Sequence, residues 1–471
     1  MDRLIKICCI KPKNSLEIKE SRIGLGMEKL DRDSFDPEKA YDKVQALGIK
    51  WVRLQSGWQK TEREKGVYDF SWLDSQVDNL LKRGIQPWLC LCYGNRLYDE
   101  LANEYVGAVG CPPVRTKEAN DAWLNYVKKV AEHFKGRITY YEIWNEPEGG
   151  WTWRPNPSSK EYAEFCIETA WAVKSVYKDA KIITGSHYDD TMESFDEEFS
   201  HGILDVTDAV TYHIYNYDER LAIQRAEALR GLLQYYGKED VEFIQGECGS
   251  QSQSGGNGAL YWVRCDEAMH KKYMLRHVMA DILSGVKFTS VFSCVDMAED
   301  LDAKSGSPIL KCGYFGMLKA EFDCATGNVI GDYMEKPAYY ALQNICSVLD
   351  ENVTPAYIPY IITPIKSERI DGFDCSAKDI ICGGLLKQNG SKAFVYWNST
   401  DMVTTKEYES TITFEISGVD GDVHLIDPGE GYVYEIPGTV MEKCGETVYK
   451  FSNIIIKDYP LIITFGKFYK D

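Results

Sequence analysis

Two glutamates carry the clearest chemistry in this sequence. Glu146 closes the apolar run Ile138-Thr139-Tyr140-Tyr141-Glu142-Ile143-Trp144-Asn145, and Pro147 stops that run directly after it. Glu247 closes Val241-Glu242-Phe243-Ile244-Gln245, with Gly246 before it and Gly249 shortly after, glycines expected to let the chain turn sharply. Each carboxylate is expected just past the C-terminal end of a strand. Two carboxyl groups facing one another are what cleavage of a glycosidic bond requires. One protonates the leaving oxygen, and the other attacks the anomeric carbon or activates water. A separation of about 5 Å leads to retention of configuration and one of roughly 6.5–9.5 Å to inversion. A lone Gly-Glu after a strand is ordinarily a solvated surface carboxylate. The pair argues for chemistry because the two residues fall on the fourth and seventh strands.

The elements that would position them alternate. Strands are expected at Ile23 to Met27, Gly48 to Leu54, Ile85 to Tyr93, Ile138 to Trp144, Lys181 to Thr184, Ala209 to Tyr215, Glu242 to Gly246 and Lys287 to Ser293. Helices are expected at Pro37 to Leu47, Ser71 to Arg83, Lys117 to Phe134, Ser159 to Tyr177, Glu219 to Tyr236, Asp266 to Leu283 and Pro337 to Leu349. Eight strands, most followed by a helix, predict an α/β fold: a (β/α)8 TIM barrel over residues 23–350, whose active site lies at the C-terminal ends of the strands. From residue 351 to 471 the runs are short, β-rich and separated by turns such as Asn389-Gly390 and Pro428-Gly429, which predicts a β-sandwich accessory domain. Residues 1–22 are too few for a domain and are expected to add a hairpin to that sandwich. Ser250 to Gly258, rich in Ser, Gly and Gln, is expected to be a flexible wall beside Glu247.

Composition narrows the classes. The chain has 471 residues, 44% hydrophobic and 27% charged, an ordinary globular balance. With 53 basic and 72 acidic residues the net charge is −19, which repels phosphate backbones and anionic lipid surfaces, so neither nucleic acid nor membrane is an expected partner. The 15 cysteines show no C-x-x-C, and the histidines show no H-E-x-x-H, so no metal and no cofactor is expected. Cysteines inside apolar runs, as in Trp88-Leu89-Cys90-Leu91-Cys92, read as buried free thiols. The absence of a signal-like apolar segment adds the expectation of a cytoplasmic location. Aromatics reach 13%, with 11 Trp and 31 Tyr, and rings of this kind stack on sugars. Trp58, Trp151, Trp153 and Trp262 fall in loops expected at the barrel mouth and are candidate sugar-stacking walls, whereas Trp51, Trp72, Trp123 and Trp171 fall at core spacing. His187 ends the fifth strand and is a candidate sugar contact. Glu148 is placed to shift the titration of Glu146 or to bind substrate. Asp296, Glu299 and Asp300 read as a solvated acidic loop.

Trp144-Asn145-Glu146-Pro147 resembles the acid/base motif of the clan A retaining glycoside hydrolases, whose two glutamates lie on strands four and seven. The stretches Gly48 to Phe70, Tyr141 to Pro147, Phe315-Gly316-Met317-Leu318 and Lys336 to Leu342 are most similar to glycoside hydrolase family 39 and its relatives. The resemblance implies Glu146 as acid/base and Glu247 as nucleophile. It implies Asn145 as a ligand of the sugar 2-hydroxyl and Arg53 as companion of the nucleophile. It further implies His213 and Tyr215, from His213-Ile214-Tyr215 on strand six, as site residues. Two positions depart from the pattern: strand three ends in Tyr93-Gly94-Asn95, and strand eight lacks a tryptophan, where Phe292 stands instead. The resemblance implies hydrolysis of β-glycosidic bonds of β-xylosidase or β-glucosidase type, and the expected cytoplasmic location argues for short oligosaccharides or glycosides and hence exo action. An endo-acting glycanase or a non-catalytic sugar-binding protein are the alternatives. The resemblance also permits a homo-oligomer.

Overall fold

The computed structural model describes residues 4–188, 191–298, 311–323, 329–363, 368–370, 373–375, 380–399 and 409–469. Eight parallel strands close on themselves: β1 (Ile23–Gly26), β2 (Trp51–Gln55), β3 (Gln86–Leu91), β4 (Tyr140–Ile143), β5 (Lys181–His187), β6 (Ala209–Ile214), β7 (Glu242–Cys248) and β8 (Thr289–Val291). Closure is made by β1 on β8, with Ile23 opposite Thr289 and Leu25 opposite Val291. The strands are almost wholly buried because helices cover them outside and side chains fill them inside.

Helix starts follow from capping residues at βα junctions. Thr116, Ser158 and Asp266 each accept a hydrogen bond from a backbone N–H three residues on, opening Lys117–His133, Ser159–Val176 and Glu267–Leu283. The expected helices occur with ends shifted by a residue or two, except that Pro37 to Leu47 divides into a 3-10 turn, Pro37–Lys39, and the helix Tyr41–Leu47. Features that escaped the sequence reading include a helix, Glu193–Ser200, between β5 and β6, and an antiparallel hairpin, Leu318–Phe322 with Val329–Glu335, between β8 and the helix Pro337–Val348. Trp171, expected in the core, is exposed on the outer face of its helix.

Beyond the barrel, a seven-stranded sheet faces a four-stranded one. The seven-stranded sheet runs Ile5–Cys9, Tyr432–Glu435, Val423–Asp427, Leu461–Phe465, Lys392–Asn398, Ile380–Lys387 and Val353–Ala356. Its first member is a single strand from the N-terminal segment, antiparallel to Tyr432–Glu435, where a hairpin was expected. Inward residues such as Phe394, Phe414, Phe451 and Ile463 are fully buried. Barrel and sandwich share one continuous apolar core. Buried polar contacts join them too: Lys272 Nζ meets Asp458 Oδ2 at 2.5 Å, and Glu219 accepts from both Arg276 and Trp397 at 2.7 Å. Among the described residues no helix is long and apolar enough to cross a membrane, and Cys90, Cys92, Cys166, Cys248 and Cys294 are buried free thiols.

Candidate active site

Arg53, fully buried on β2, organises the C-terminal mouth of the barrel. Its guanidinium donates to Glu142 through Nε (2.8 Å) and Nη2 (2.6 Å), to Asn145 Oδ1 through Nη2 (2.8 Å), and to Glu247 Oε1 through Nη1 (2.5 Å). Nη1 also lies 3.3 Å from Glu28 Oε1. One planar fork thus sets the positions of groups from β1, β4 and β7. Glu142 points into the barrel from β4 and also accepts from Trp88 Nε1 and Ser186 Oγ, each at 2.9 Å. Burial alone would raise its titration, but the Arg53 charge overcomes that and holds the carboxyl below the usual range. Glu142 and Ser186 were not singled out in the sequence. A charged residue in the middle of an apolar barrel strand was the available signal, since such a charge must be paired.

Glu247 is gripped from two sides, by Arg53 on Oε1 and by the Tyr215 hydroxyl, which donates to Oε2 at 2.6 Å. Burial pushes its titration up, but the charges of His213 and Arg53 outweigh burial, so it stays ionised below the ordinary carboxylate range. The phenol of Tyr215 is pushed well up by burial and by the Glu247 charge, so it remains a donor. Glu146 Oε1 lies 2.8 Å from His213 Nδ1, and His213 Nε2 lies 3.2 Å from Ser186 Oγ. Glu146 moves the opposite way from Glu247. Burial raises its titration, and the charges of Glu247 and Glu148 add to that against the pull of His213. Two carboxyls in one site are therefore separated by environment, one kept ionised and the other inclined to hold a proton.

Local backbone aims these groups. Trp144 (φ 68°), Glu146 (φ 49°) and Ser186 (φ 67°) all occupy the left-handed region, which costs a non-glycine residue on the order of 1–3 kcal/mol. The Glu146 N–H is tied to the Ser186 carbonyl at 3.1 Å. The glycines beside Glu247 serve differently from the expected sharp turn. Neither has positive φ, and Gly246 continues β7. A Cβ on Gly246 would meet Thr211 Oγ1 at 2.6 Å and His213 Nε2 at 3.0 Å, so the missing side chain makes room for the histidine.

The predicted residues divide. Glu146, Glu247, Asn145, Arg53, His213 and Tyr215 come together in one bonded cluster. Trp58 does not join them. It is 1% exposed, stacked between Tyr98 and Tyr126, and donates to Glu62 at 2.6 Å, so neither ring face is left for a sugar. Trp153 is likewise core, packed against Trp144 and Phe165 and bonded to Glu161. Trp151 is 41% exposed beside Tyr188, and Trp262 is 70% exposed beside Tyr261. His187 is buried between Glu148 (2.9 Å) and Glu198 (2.7 Å), so both ring nitrogens are engaged by carboxylates where a sugar contact was expected. Asn95 is buried and donates to the Glu62 carbonyl. Phe292 sits edge-on to Tyr215 and Phe315. Asp296 is buried and pairs with Lys336 at 2.6 Å, against the expected solvated loop; Glu299 and Asp300 lie outside the described residues. The segment after Glu247 is packed, with Ser250, Gln251 and Ser252 buried and Gln251 Nε2 bonded to the Asn257 carbonyl at 3.0 Å. Side-chain bonds to backbone carbonyls, Gln251 to Ala259, Ser252 to Tyr314 and Ser254 to Cys265, stand where flexibility was expected.

One ligand atom each of Glu146, His213 and Glu247 lie within 4.8 Å of one another, the spacing of a potential metal site. Arg53 and His213 already supply positive charge against both carboxylates, which is the electrostatic role an ion would take there.

Comparison with known proteins agrees with this architecture. The Glyco_hydro_42 family model, described as beta-galactosidase, matches residues 28–95. A curated beta-galactosidase, BbgII of Bifidobacterium bifidum, is 29% identical over an alignment of 143 residues that covers 27% of this chain and only 20% of that relative's length. Among solved structures, a family 39 glycoside hydrolase from the gut symbiont Bacteroides cellulosilyticus WH2 aligns with TM-score 0.63 at 16% identity, over 94% of this chain and 81% of that one. A GH39 β-xylosidase from Caulobacter crescentus aligns with TM-score 0.57 at 13% identity, over 98% of this chain and all (100%) of its own. A family 51 α-L-arabinofuranosidase from Bifidobacterium longum aligns with TM-score 0.55 at 12% identity, over 98% and 97%. The chain therefore has the fold of clan A glycoside hydrolases, a TIM barrel with a β-sandwich, and resembles family 39 among them.

Proposed function

We propose that the protein is a retaining exo-glycosidase acting on β-glycosidic bonds of short oligosaccharides or glycosides, of β-xylosidase or β-glucosidase type. The observation that carries this reading is the short gap between the two carboxyls. One oxygen of Glu146 and one of Glu247 lie within 4.8 Å of each other, which suits direct attack on the anomeric carbon and falls short of the roughly 6.5–9.5 Å of an inverting pair. In the first step Glu247, ionised and oriented by Arg53 and Tyr215, bonds to the anomeric carbon while Glu146 passes its proton to the departing oxygen. Esterification removes the Glu247 charge, so Glu146 becomes more acidic and can take a proton from water in the second step. That water displaces Glu247 and restores the original configuration. Asn145, its carbonyl oxygen held by Arg53, offers its amide nitrogen to a sugar hydroxyl.

The glycone rests on likeness alone. Two of the similar structures are β-xylosidases of Caulobacter crescentus, and the partial matches over residues 28–95 and over 143 residues are to beta-galactosidases. A panel of aryl β-xylosides, β-glucosides and β-galactosides therefore tests both sugar identity and catalysis. Glu247→Gly is expected to lose more than about a thousand-fold in rate. Azide should restore part of it and release a glycosyl azide of inverted configuration. If NMR of the first product formed by the wild type shows inversion, the assignment of Glu247 as nucleophile is wrong.

A further inference from the structure

The loop that carries Glu146 doubles back onto it. The Glu146 carbonyl accepts from Gly149 N at 3.0 Å and from the Thr152 hydroxyl, and Trp144 Nε1 donates to the Thr152 carbonyl at 2.7 Å. Trp151 rides on this closed turn. Across from it, the Glu146 N–H is fixed to the Ser186 carbonyl, and Tyr188 follows two residues later. The two rings meet with centroids 5.0 Å apart at 38°. Trp151 is 41% exposed and Tyr188 half-buried, so the pair presents ring surface to solvent from the loop that carries Glu146 and the strand end bonded to it.

Next to the pair lies a buried ionic cluster whose members neither attack nor protonate the substrate; Glu148 acts on Glu146 only through its charge. Glu148 accepts from Tyr188 N at Oε1 (2.5 Å) and meets His187 Nδ1 at Oε2 (2.9 Å), while His187 Nε2 meets Glu198 Oε1 at 2.7 Å. His187 and Glu198 are each 1% exposed. Burial opposes a charge on His187, yet Glu198 and Glu148 raise it to about 10, so the imidazolium persists at neutral pH. The cluster joins the loop after β4, the end of β5 and the helix Glu193–Ser200. The position of Tyr188 relative to Trp151 is thereby held by paired charges where a surface loop would otherwise wander.

We propose that Trp151 and Tyr188 form the subsite for the leaving group, a shelf for the flat apolar face of a ring, whether the C–H face of a second sugar or an arene. Glu148, His187 and Glu198 are its positioning residues. The inference rests on the reading of Glu146 as the acid. The acid's proton goes to the oxygen that joins the departing group to the attacked sugar, so side chains on the acid's own loop flank the departing half. The rings of Tyr215, Phe292 and Phe315 gather instead at Glu247, around the sugar under attack. Stacking of a sugar or arene on such rings favours binding through apolar contact and complementary ring-face electrostatics.

The test uses three substrates sharing one glycone: a β-linked disaccharide, a phenyl β-glycoside and the methyl β-glycoside, which also needs the Glu146 proton but has no ring to stack. For Trp151→Ala and Tyr188→Ala, the ratio of kcat/KM on a ring-bearing substrate to that on the methyl glycoside should fall about ten-fold, with Trp151→Phe recovering most of it. Glu148→Gln should lower the same ratio mainly through KM. A fall with the disaccharide alone, the phenyl glycoside alone or both supports the shelf and identifies the ring it takes. Equal losses on all three substrates, or none, overturn the shelf while leaving the glycosidase reading intact. A wild type inactive on every glycone of the panel overturns the glycosidase reading, and the shelf falls with it.

Discussion

At the residue scale the site is a competition among buried charges for few counter-charges. Arg53 faces Glu142, Glu247 and Glu28, and only the first two are drawn below their ordinary range. Glu28 goes the other way, raised to about 8 by burial and then by the Glu247 charge, with Arg53 opposing. Below that pH it sits neutral beside the guanidinium. Above it, a third negative charge draws on Arg53 Nη1, the same nitrogen that holds Glu247. Activity should therefore decline as pH rises through about 8, and Glu28→Gln should hold kcat/KM to higher pH than the wild type. Superimposable pH profiles for the two enzymes would contradict this. Glu146 and Glu247 were legible from their places at strand ends, and Asn145, Arg53, His213 and Tyr215 through the family resemblance. Glu28, Ser186 and the pairing of Glu148 with His187 were not legible, because each takes its role from a partner on a different strand.

At the element scale, periodicity carried the barrel. Strands fully buried on both faces read as apolar runs, and the helices expected from Lys117 and Ser159 begin there, behind the caps Thr116 and Ser158 that the structure adds. The aromatic residues misled for a related reason. Trp58 and Trp153 follow strand ends, as mouth residues do, but their indole N–H groups find Glu62 and Glu161 within the fold, which lets the rings bury completely. The hairpin Leu318–Phe322 with Val329–Glu335 was missed because its alternation is short and falls inside a βα connection. Gly246 makes a sharper test. A methyl group there meets Thr211 and His213 within a packed strand. Gly246→Ala should destabilise the protein by about 1–3 kcal/mol, the usual cost of overpacking, and lower kcat by displacing His213 from Glu146. Thermal melting together with kinetics checks it, and wild-type values in both would refute it.

At the scale of the whole molecule, barrel and sandwich behave as one body. They share a continuous core, and the Lys272–Asp458 pair crosses between them with both side chains fully buried. Lys272→Met leaves Asp458 buried without its cation, at a cost of about 3–5 kcal/mol. Because the two parts share that core, the loss should lower a single unfolding transition seen by calorimetry. Two separated transitions, with only one of them shifted, would show that the parts unfold independently. The net charge of −19 acts at this scale as well, favouring solubility and repelling polyanions without selecting among neutral sugars.

The strand Ile5–Cys9 pairs with Tyr432–Glu435, so two segments far apart in the chain, made at well separated times, dock on one another. At translation rates of about 5–20 residues per second, it waits on the order of tens of seconds for its neighbour while the whole barrel emerges. Throughout that time its Ile5 and Ile7 side chains and unpaired backbone offer a ready edge to any nascent chain nearby. Lys6, which lies over the Tyr432 ring in the finished sheet, gives that waiting edge a positive charge, the commonest natural guard against pairing with the wrong strand.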